Sequence, residues 1–258
     1  WPGEGTCDFS DIASDLDLIL VADPQARVIM RIHLDVPEWW EAAYPGECCR
    51  RRDGSHLRQS FSSLRWLESV SGVLRELIAW FRERDYAQHL IGIHLAAGGT
   101  EEWIYHFREQ FEDRSTARSE HFRSFLARTY GSLSAQHDAW SASPQADEGA
   151  ALAVLEQPAQ MCWRTAARDQ AARDACRFHS EALTEAILYL CRTVKQESEG
   201  ALLTGAFYGY HFYIPDSRKG HTALSRLLVS DDLDYIASPN IRVLDSQKKG
   251  LWFLILYR

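Results

Sequence analysis

The chain has 258 residues, 46% of them apolar and 25% charged, so it can bury a core of domain size. Its formal net charge of −8 argues against a partner that is bound through nucleic-acid phosphates. The longest uninterrupted apolar run, Leu251–Tyr257, is too short to cross a bilayer, and no basic segment with an apolar core opens the chain. We therefore expect a cytoplasmic protein with neither a nucleic-acid nor a membrane partner.

The first part of the chain predicts a strand, a helix and a second strand. A helix over Asp11–Val21 precedes the apolar strand Val28–Leu34, and Tyr44–Ser55, rich in Gly, Cys and Arg, predicts a loop. Ser60–Arg84 has its apolar residues on one helical face and leads to the apolar strand Leu90–Leu95. A strand–helix–strand unit of this kind implies parallel strands with a right-handed crossover.

The rest of the chain predicts more helices and two further strands. The helices are Ser119–Tyr130, Ser134–Trp140, Arg164–Gln196 and His221–Val229, and the strands are Ala201–Phe207 and Asp234–Ala237. Because each connection contains a helix, we predict that the four strands are parallel neighbours in chain order. The apolar tail Leu251–Tyr257 is a candidate fifth strand that would need cover on both faces.

Polar and aromatic side chains lie in or just after the predicted strands, at their carboxyl ends. They are His33, Asp35, Glu38, Trp39, His94, Glu101, Glu102, Trp103, Tyr208, Tyr210 and His211. The carboxyl ends of parallel strands are where a (β/α) barrel carries its chemistry. Hydrolysis of a sugar needs a carboxylic acid beside the leaving oxygen, in a site that can raise the pKa of that acid. The stretch around Glu101 could equally be an exposed acidic loop with one packed tryptophan.

Several known catalytic and metal-binding motifs are absent from the sequence. The six cysteines include no C-x-x-C pair, and there is no H-E-x-x-H helix, P-loop or dinucleotide fingerprint. His33 and Asp35 lack a third metal ligand at a suitable spacing. We therefore predict no metal, no cofactor and reduced thiols. The absence of a G-x-S-x-G elbow argues against an ordinary α/β-hydrolase esterase.

Three segments carry a resemblance to a known family. VIMRIHLDVPEWW (28–40) resembles the third barrel strand of family-42-type β-galactosidases and their relatives among the clan A glycoside hydrolases. IGIHLAAGGTEEW (91–103) resembles the fourth strand, which bears the general acid/base in that group. GAFYGYHF (205–212) and the stretch 220–239 resemble the fifth and sixth strands with the helix between them. The resemblance covers roughly Asp8–Asn240.

The chain departs from the family pattern in three places. Clan A enzymes usually place an asparagine before the acid/base glutamate, but Asn240 is the only asparagine here. The family nucleophile lies on the seventh strand, which would follow the resembling part, and there is no room before Asp8 for both of the first two strands. The resemblance therefore implies an α/β fold with a parallel (β/α) barrel of the TIM type that is partial or truncated. It divides the chain into a barrel-like domain over 1–240 and a divergent tail over 241–258.

The resemblance also implies an activity and a set of site residues. It implies a glycoside hydrolase that cleaves β-linked sugars with Glu102 as general acid and Glu101 as fallback. Asp35 and Glu38 are the nearest candidates for the second carboxylate. The implied sugar contacts are the stacking rings Trp39, Trp103 and Tyr208 and the polar groups His33, Asp35, His94, Tyr210 and His211.

Two alternatives remain open at this point. The chain could be a catalytically inactive sugar-binding or structural fragment, which the unrecognised nucleophile strand favours. It could also be another hydrolase, such as an esterase, that uses Ser238 or another hydroxyl near His211 or His221. A partial barrel leaves open sheet edges, so we expect a homo-oligomer formed through exposed strands, or an edge covered by the apolar tail.

Overall fold

The computed structural model describes residues 1–51, 53–105, 113–143, 147–156, 164–210, 217–239 and 253–257. The helices are α1 (Ser10–Ala22), α2 (Glu38–Ala43), α3 (Leu64–Arg82), α4 (Thr116–Tyr130), α5 (Leu133–Trp140), α6 (Glu148–Ala153), α7 (Ala166–Glu197) and α8 (Leu224–Leu228). The strands are β1 (Val28–His33), β2 (Cys48–Arg50), β3 (His56–Gln59), β4 (Leu90–Ala96), β5 (Leu203–Phe207), β6 (Tyr235–Pro239) and β7 (Phe253–Tyr257). No helix formed by these residues is both long enough and apolar enough to cross a membrane.

One sheet organises the molecule. Its strand order is β1-β4-β5-β6-β7, and β1, β4, β5 and β6 are parallel, which confirms the predicted order of the four strands. The tail forms the fifth strand, β7, and pairs antiparallel with β6. With helices in the parallel connections, the predicted α/β class is confirmed. In the part of the chain that the structure describes, β1 and β7 are the edge strands.

The outer face of the sheet carries the main core. Side chains alternate along a strand, so Ile93 and Leu95 of β4 both point to this face and are fully buried. The apolar faces of α3 and α7 cover them, and Ser71 and Thr193 join the two helices through their hydroxyls at 3.0 Å. The Ser63 hydroxyl begins α3 by accepting the backbone N–H of the third residue beyond it, at 3.0 Å.

A second, smaller core joins α4, α5 and α6 to the first half of α7. Its aromatic members are Phe122, Phe125, Trp140 and Phe178. The indole N–H of Trp140 donates to the Asp174 carboxylate at 2.8 Å, and the Tyr130 hydroxyl donates to the same group at 2.5 Å. The buried Asp174 therefore has partners from outside its own helix, and its hydrogen bonds hold α5 and the end of α4 against α7.

The prediction that Tyr44–Ser55 is a loop is wrong in one respect, because this segment contains β2, the first strand of a hairpin. Strands β2 and β3 pair antiparallel, and Cys48 and Cys49 are buried as thiols within β2. The two strands have three and four residues with little apolar alternation, so periodicity could not reveal them. The hairpin brings Gln59 beside the end of β1, where it becomes part of the site described below.

Candidate functional site

The inner face of the sheet carries a polar and aromatic set that differs from the outer face. Register across the parallel strands aligns Ile29, Arg31 and His33 of β1, Gly92, His94 and Ala96 of β4, Leu203, Gly205 and Phe207 of β5, and Tyr235 and Ala237 of β6. Ile29 and Leu203 are 43% and 37% exposed, so solvent reaches this face. In a closed barrel the same face would point to the interior.

The histidine His94 sits at the middle of this face. It lies between Arg31 and Gly205 in the register of the neighbouring strands. A Cβ at Gly205 would lie 2.0 Å from the ring of Tyr235, so only glycine lets that ring lie flat over β5. The Tyr235 hydroxyl then forms a 3.1 Å hydrogen bond with His94 Nδ1. Phe207 packs edge-on against the imidazole at 4.3 Å between ring centroids.

The environment of His94 keeps its imidazole neutral. Burial, together with the nearby Arg31 guanidinium as the smaller cause, lowers its pKa to about 4. Its Nε2 is buried and has no hydrogen-bond partner among the residues that the structure describes. The buried imidazole therefore keeps hydrogen-bonding capacity that the described residues do not use.

Arg31 connects this face to the acidic turn after β4. Its guanidinium forms an ion pair with Glu101 and lies 5.1 Å from the centroid of the Phe207 ring. Both side chains of the pair are partly exposed, at 47% and 40%. The pair therefore balances the charge of Glu101 within this turn.

The turn that carries Glu101 and Glu102 has an unusual backbone. Gly98 has a φ of +81°, and a Cβ there would lie 2.4 Å from the carbonyl oxygen of Ile104. Thr100, Glu101 and Trp103 also have positive φ, at 60°, 64° and 56°. For residues with side chains such angles cost on the order of 1–3 kcal/mol each, so the surrounding contacts must hold the turn in place.

Trp103 supplies the strongest of those contacts. Its backbone N–H donates to the Ala97 carbonyl at 2.7 Å, and its indole N–H donates to the Leu95 carbonyl at 2.8 Å. The side chain is completely buried and packs against Phe61 and Trp66. The prediction that Trp103 stacks on a sugar is therefore wrong in this structure, because no face of its ring is accessible.

His221 links the acidic turn to the segment after β5. Its Nδ1 accepts the backbone N–H of Tyr210 at 3.3 Å, which assigns the ring proton to Nε2, the atom 3.0 Å from the Trp103 carbonyl oxygen. Tyr208 stacks on the same imidazole at 4.4 Å and donates its hydroxyl to the Gly220 carbonyl at 2.8 Å. Tyr208 is completely buried, so the prediction that it stacks on a sugar is also wrong.

Glu102 lies beside a buried phenol. Its carboxylate accepts the Thr100 hydroxyl at 2.8 Å. Burial raises the pKa of Tyr210, and the adjacent Glu102 carboxylate raises the pKa of that phenol further. Tyr210 therefore stays protonated at any ordinary pH. Glu102 follows the carboxyl end of β4, and its aromatic neighbour is Tyr210 rather than Trp39 or Tyr208.

Asp35 has a structural role that the sequence did not predict. One carboxylate oxygen accepts the Gln59 amide at 2.6 Å and the Gly98 backbone N–H at 2.9 Å, and the other lies 3.0 Å from His33 Nε2. Its side chain is only 5% exposed. The hydrogen bond from His33 to Asp35 is the largest of several effects that raise the pKa of His33. Asp35 thus joins the end of β1, the hairpin and the turn after β4.

The remaining predicted residues lie apart from this cluster or outside the described residues. The indole of Trp39 is half-buried, donates to the Trp1 carbonyl at 3.1 Å and packs edge-on against the Trp1 ring. Glu38 is exposed in the first turn of α2. His211 lies outside the described residues. Within the described ranges, no three His, Cys, Asp or Glu side chains are grouped so as to hold a metal ion.

The comparisons with known proteins show similarity of fold only. No family model and no curated protein matches the chain. The catalytic domain of β-amylase from Paenibacillus polymyxa superposes with a TM-score of 0.70 and 14% identity over 98% of this chain and 69% of that one. The β-galactosidase from Bacillus circulans sp. alkalophilus gives 0.63 and 15%, over 95% of this chain and 34% of that one. The β-galactosidase from Rahnella sp. R3 gives 0.59 and 19%, over 96% and 33%.

These values match what the resemblance implied about the fold. The chain spans about a third of the length of the β-galactosidases that it matches. Identities below 20% carry the architecture and not the activity. The described sheet and its helices have the fold of part of a TIM-type (β/α) barrel.

Proposed function

We propose that this chain carries the general acid of a glycoside hydrolase that cleaves β-linked sugars, and that Glu102 is that acid. The observation that supports the assignment is a contrast among the three predicted catalytic carboxylates. Arg31 neutralises Glu101, and hydrogen bonds occupy both oxygens of Asp35. Glu102 has no cationic partner among the described residues: its carboxyl group accepts the Thr100 hydroxyl and adjoins the Tyr210 phenol, and we assign the acid role to it.

The surroundings of Glu102 suit a proton donor. After the proton has moved to the leaving oxygen, the Tyr210 phenol beside it can donate a hydrogen bond to the new carboxylate. Because Arg31 neutralises Glu101, the charge next to Glu102 in sequence is balanced.

The second carboxylate of the reaction is a separate part of the proposal. A retaining site needs its two carboxyl groups about 5–5.5 Å apart, and an inverting site about 6.5–9.5 Å apart. Since the oxygens of Asp35 are engaged, Glu38 is the better described candidate. A Glu38→Gln variant with full turnover would exclude Glu38 from this role.

The test uses chromogenic β-glycosides, with short acyl esters to detect an esterase. Glu102→Gln should lower kcat by on the order of 10²-fold or more on substrates with poor leaving groups. On dinitrophenyl glycosides, whose leaving group needs no proton, the variant should keep most of its turnover. A merely structural role for Glu102 would lower turnover on both kinds of substrate alike.

The control for this test is Glu83→Gln, an exposed glutamate that follows α3, on the amino-terminal side of β4. It should leave kcat unchanged on every substrate. Full turnover of Glu102→Gln on the poor substrates would remove this residue from the mechanism and overturn the proposal.

A sugar-binding protein without catalysis is the second candidate. The hydrogen bonds of Asp35 favour this second candidate. Because both Asp35 oxygens are engaged, the exposed Glu38 is the one predicted second carboxylate that remains among the described residues. Calorimetric binding of β-linked oligosaccharides, with no hydrolysis by the unaltered protein, would support this candidate over the enzyme.

A further inference from the structure

A basic pocket lies outside the barrel face, between the first half of α7 and the start of α8. Its volume is about 420 Å³, and four arginines and one glutamate are the charged residues that line it. They are Arg164, Arg173, Arg177, Arg226 and Glu181. The chain as a whole carries a net charge of −8, whereas the lining of this pocket has more positive than negative side chains. Nothing in the proposed glycosidase chemistry uses this pocket.

The one glutamate is already paired. Arg177 donates its Nε to Glu181 at 2.6 Å, and Arg226 pairs with the other oxygen of the same carboxylate. Arg226 also reaches Glu185 at 3.2 Å. These pairs balance Glu181 and fix the guanidinium of Arg226 at the rim of the pocket.

The other two arginines contact neutral groups. Arg173 donates to the Gln170 side-chain oxygen at 3.3 Å, and Arg164 lies 4.0 Å from the sulfur of Cys176. Arg164 contributes only a minor part to the lowered pKa of Asp169, whose main partners are the Thr165 backbone and Arg168. Within the described ranges, neither Arg164 nor Arg173 forms an ion pair with a carboxylate.

Hydroxyl groups complete the lining. Ser180 is buried, and its oxygen lies 2.7 Å from that of Thr222 and accepts the Thr222 backbone N–H at 3.4 Å. When the Ser180 hydroxyl donates this hydrogen bond, the Thr222 hydroxyl can donate its own hydrogen bond to a ligand. Arg173 and Arg177 are one helical turn apart on α7, so both guanidinium groups project from the same face beside these hydroxyls.

We propose that this pocket binds a small molecule through a phosphate group. Guanidinium groups bind phosphate oxygens in pairs of parallel hydrogen bonds, and the neutral partners of Arg164 and Arg173 are readily exchanged for a charged one. The volume is within the usual range for sites of small organic ligands and exceeds what inorganic phosphate alone fills. The phosphate chemistry could come from free phosphate or from a phosphorylated metabolite such as a sugar phosphate, and the test separates these sources.

The test is isothermal titration calorimetry on the intact protein at constant ionic strength. The ligands are inorganic phosphate, glucose 6-phosphate and glucose. Phosphate-bearing ligands should bind, and Arg173→Gln should weaken their binding by about tenfold or more, as expected for loss of a charge-assisted hydrogen bond. Glucose bound at the inner face should bind the variant and the unaltered protein alike. Tighter binding of glucose 6-phosphate than of phosphate would identify an organic phosphate as the ligand, and equal binding would identify free phosphate.

The matched control is Arg192→Gln, which removes an arginine of similar exposure further along α7, where it pairs with Asp232. It should leave the affinity unchanged. The proposal is overturned if neither phosphate ligand binds at millimolar concentration, or if Arg173→Gln and Arg192→Gln weaken binding equally. Because Arg173 is exposed, its variant should fold normally, and an unchanged Tm without ligand checks this. Glycosidase activity is not a readout, so this test and that of the proposed function fail independently.

Discussion

The two faces of the same sheet differ in what covers them. On the outer face, α3 and α7 bury residues such as Ile93 completely. On the inner face, Ile29 is 43% exposed, and the neighbouring positions carry Arg31, His33 and His94 instead of a packed apolar layer. The outer face therefore supplies stability, and the inner face has spare polar groups that suit ligand binding.

The largest effect should separate these two faces directly. Ile93→Ala on the outer face should lower the free energy of unfolding by about 2–5 kcal/mol, because it leaves a cavity in the core. Ile29→Ala on the adjacent strand should cost below about 1 kcal/mol, because half of that side chain is already in water. Urea unfolding of both variants measures the difference. Equal costs would mean that another chain or segment covers the inner face, and light scattering would then test the predicted homo-oligomer.

The next effect concerns pH. The pKa of His94 falls from its ordinary value of 6.5 to about 4 on folding, so between these values the unfolded chain binds the extra proton. Stability should therefore drop as the pH falls from about 6.5 to about 4, by about 3 kcal/mol at most. Urea unfolding of the unaltered protein and of His94→Gln at pH 7.5 and 4.5 would measure this. The drop should be smaller in the variant, and an equal drop would contradict the assignment to His94.

His33 gives the opposite sign on the same face. Asp35 raises the pKa of His33, so its contribution to stability is present below the unfolded pKa and is lost as the pH rises through the folded pKa. The effect should be small because the His33 side chain is half exposed. The two histidines can therefore be distinguished by the direction in which stability changes with pH.

The last prediction tests the packing of the inner face. Gly205→Ala should cost about 1–3 kcal/mol, because the added methyl group displaces the Tyr235 ring and with it the hydrogen bond to His94. The cost should shrink in a Tyr235→Ala background, and urea unfolding of the four proteins gives the coupling energy. The control is Gly72→Ala in α3, where the methyl group meets no atom and should stabilise by about 0.5–1 kcal/mol. Additive costs for Gly205→Ala and Tyr235→Ala would show that the ring does not lie over β5.

The sheet could be predicted from the sequence because its causes are local. The apolar runs Val28–Leu34 and Leu90–Leu95 have strand length, and an amphipathic helix lies between them. The rule for parallel connections then gives the strand order. The hairpin β2–β3 could not be predicted, since seven mostly polar residues carry no periodic signal.

The site was predicted only in part, for a physical reason that Trp103 illustrates. The sequence places an aromatic residue directly after two glutamates, which favours a solvent-facing ring. Positive φ angles at Thr100, Glu101 and Trp103 turn the chain back, and the indole enters the core. Such angles are uncommon outside glycine, so residue type does not reveal them. The contact from His221 to the Trp103 carbonyl joins residues 118 positions apart, and no motif indicates it.

The antiparallel strand β7 has a consequence for how this sheet can grow. A parallel barrel extends by adding each new strand beside the last, and the free edge of β6 is where a further parallel strand would pair. In the described residues β7 already occupies that edge in the reverse direction, and its own hydrogen bonds to β6 run along the whole of that strand. Extension of the parallel series is therefore blocked on this side. Among the described strands, a further strand from this chain or another can therefore pair directly with the parallel series only at β1.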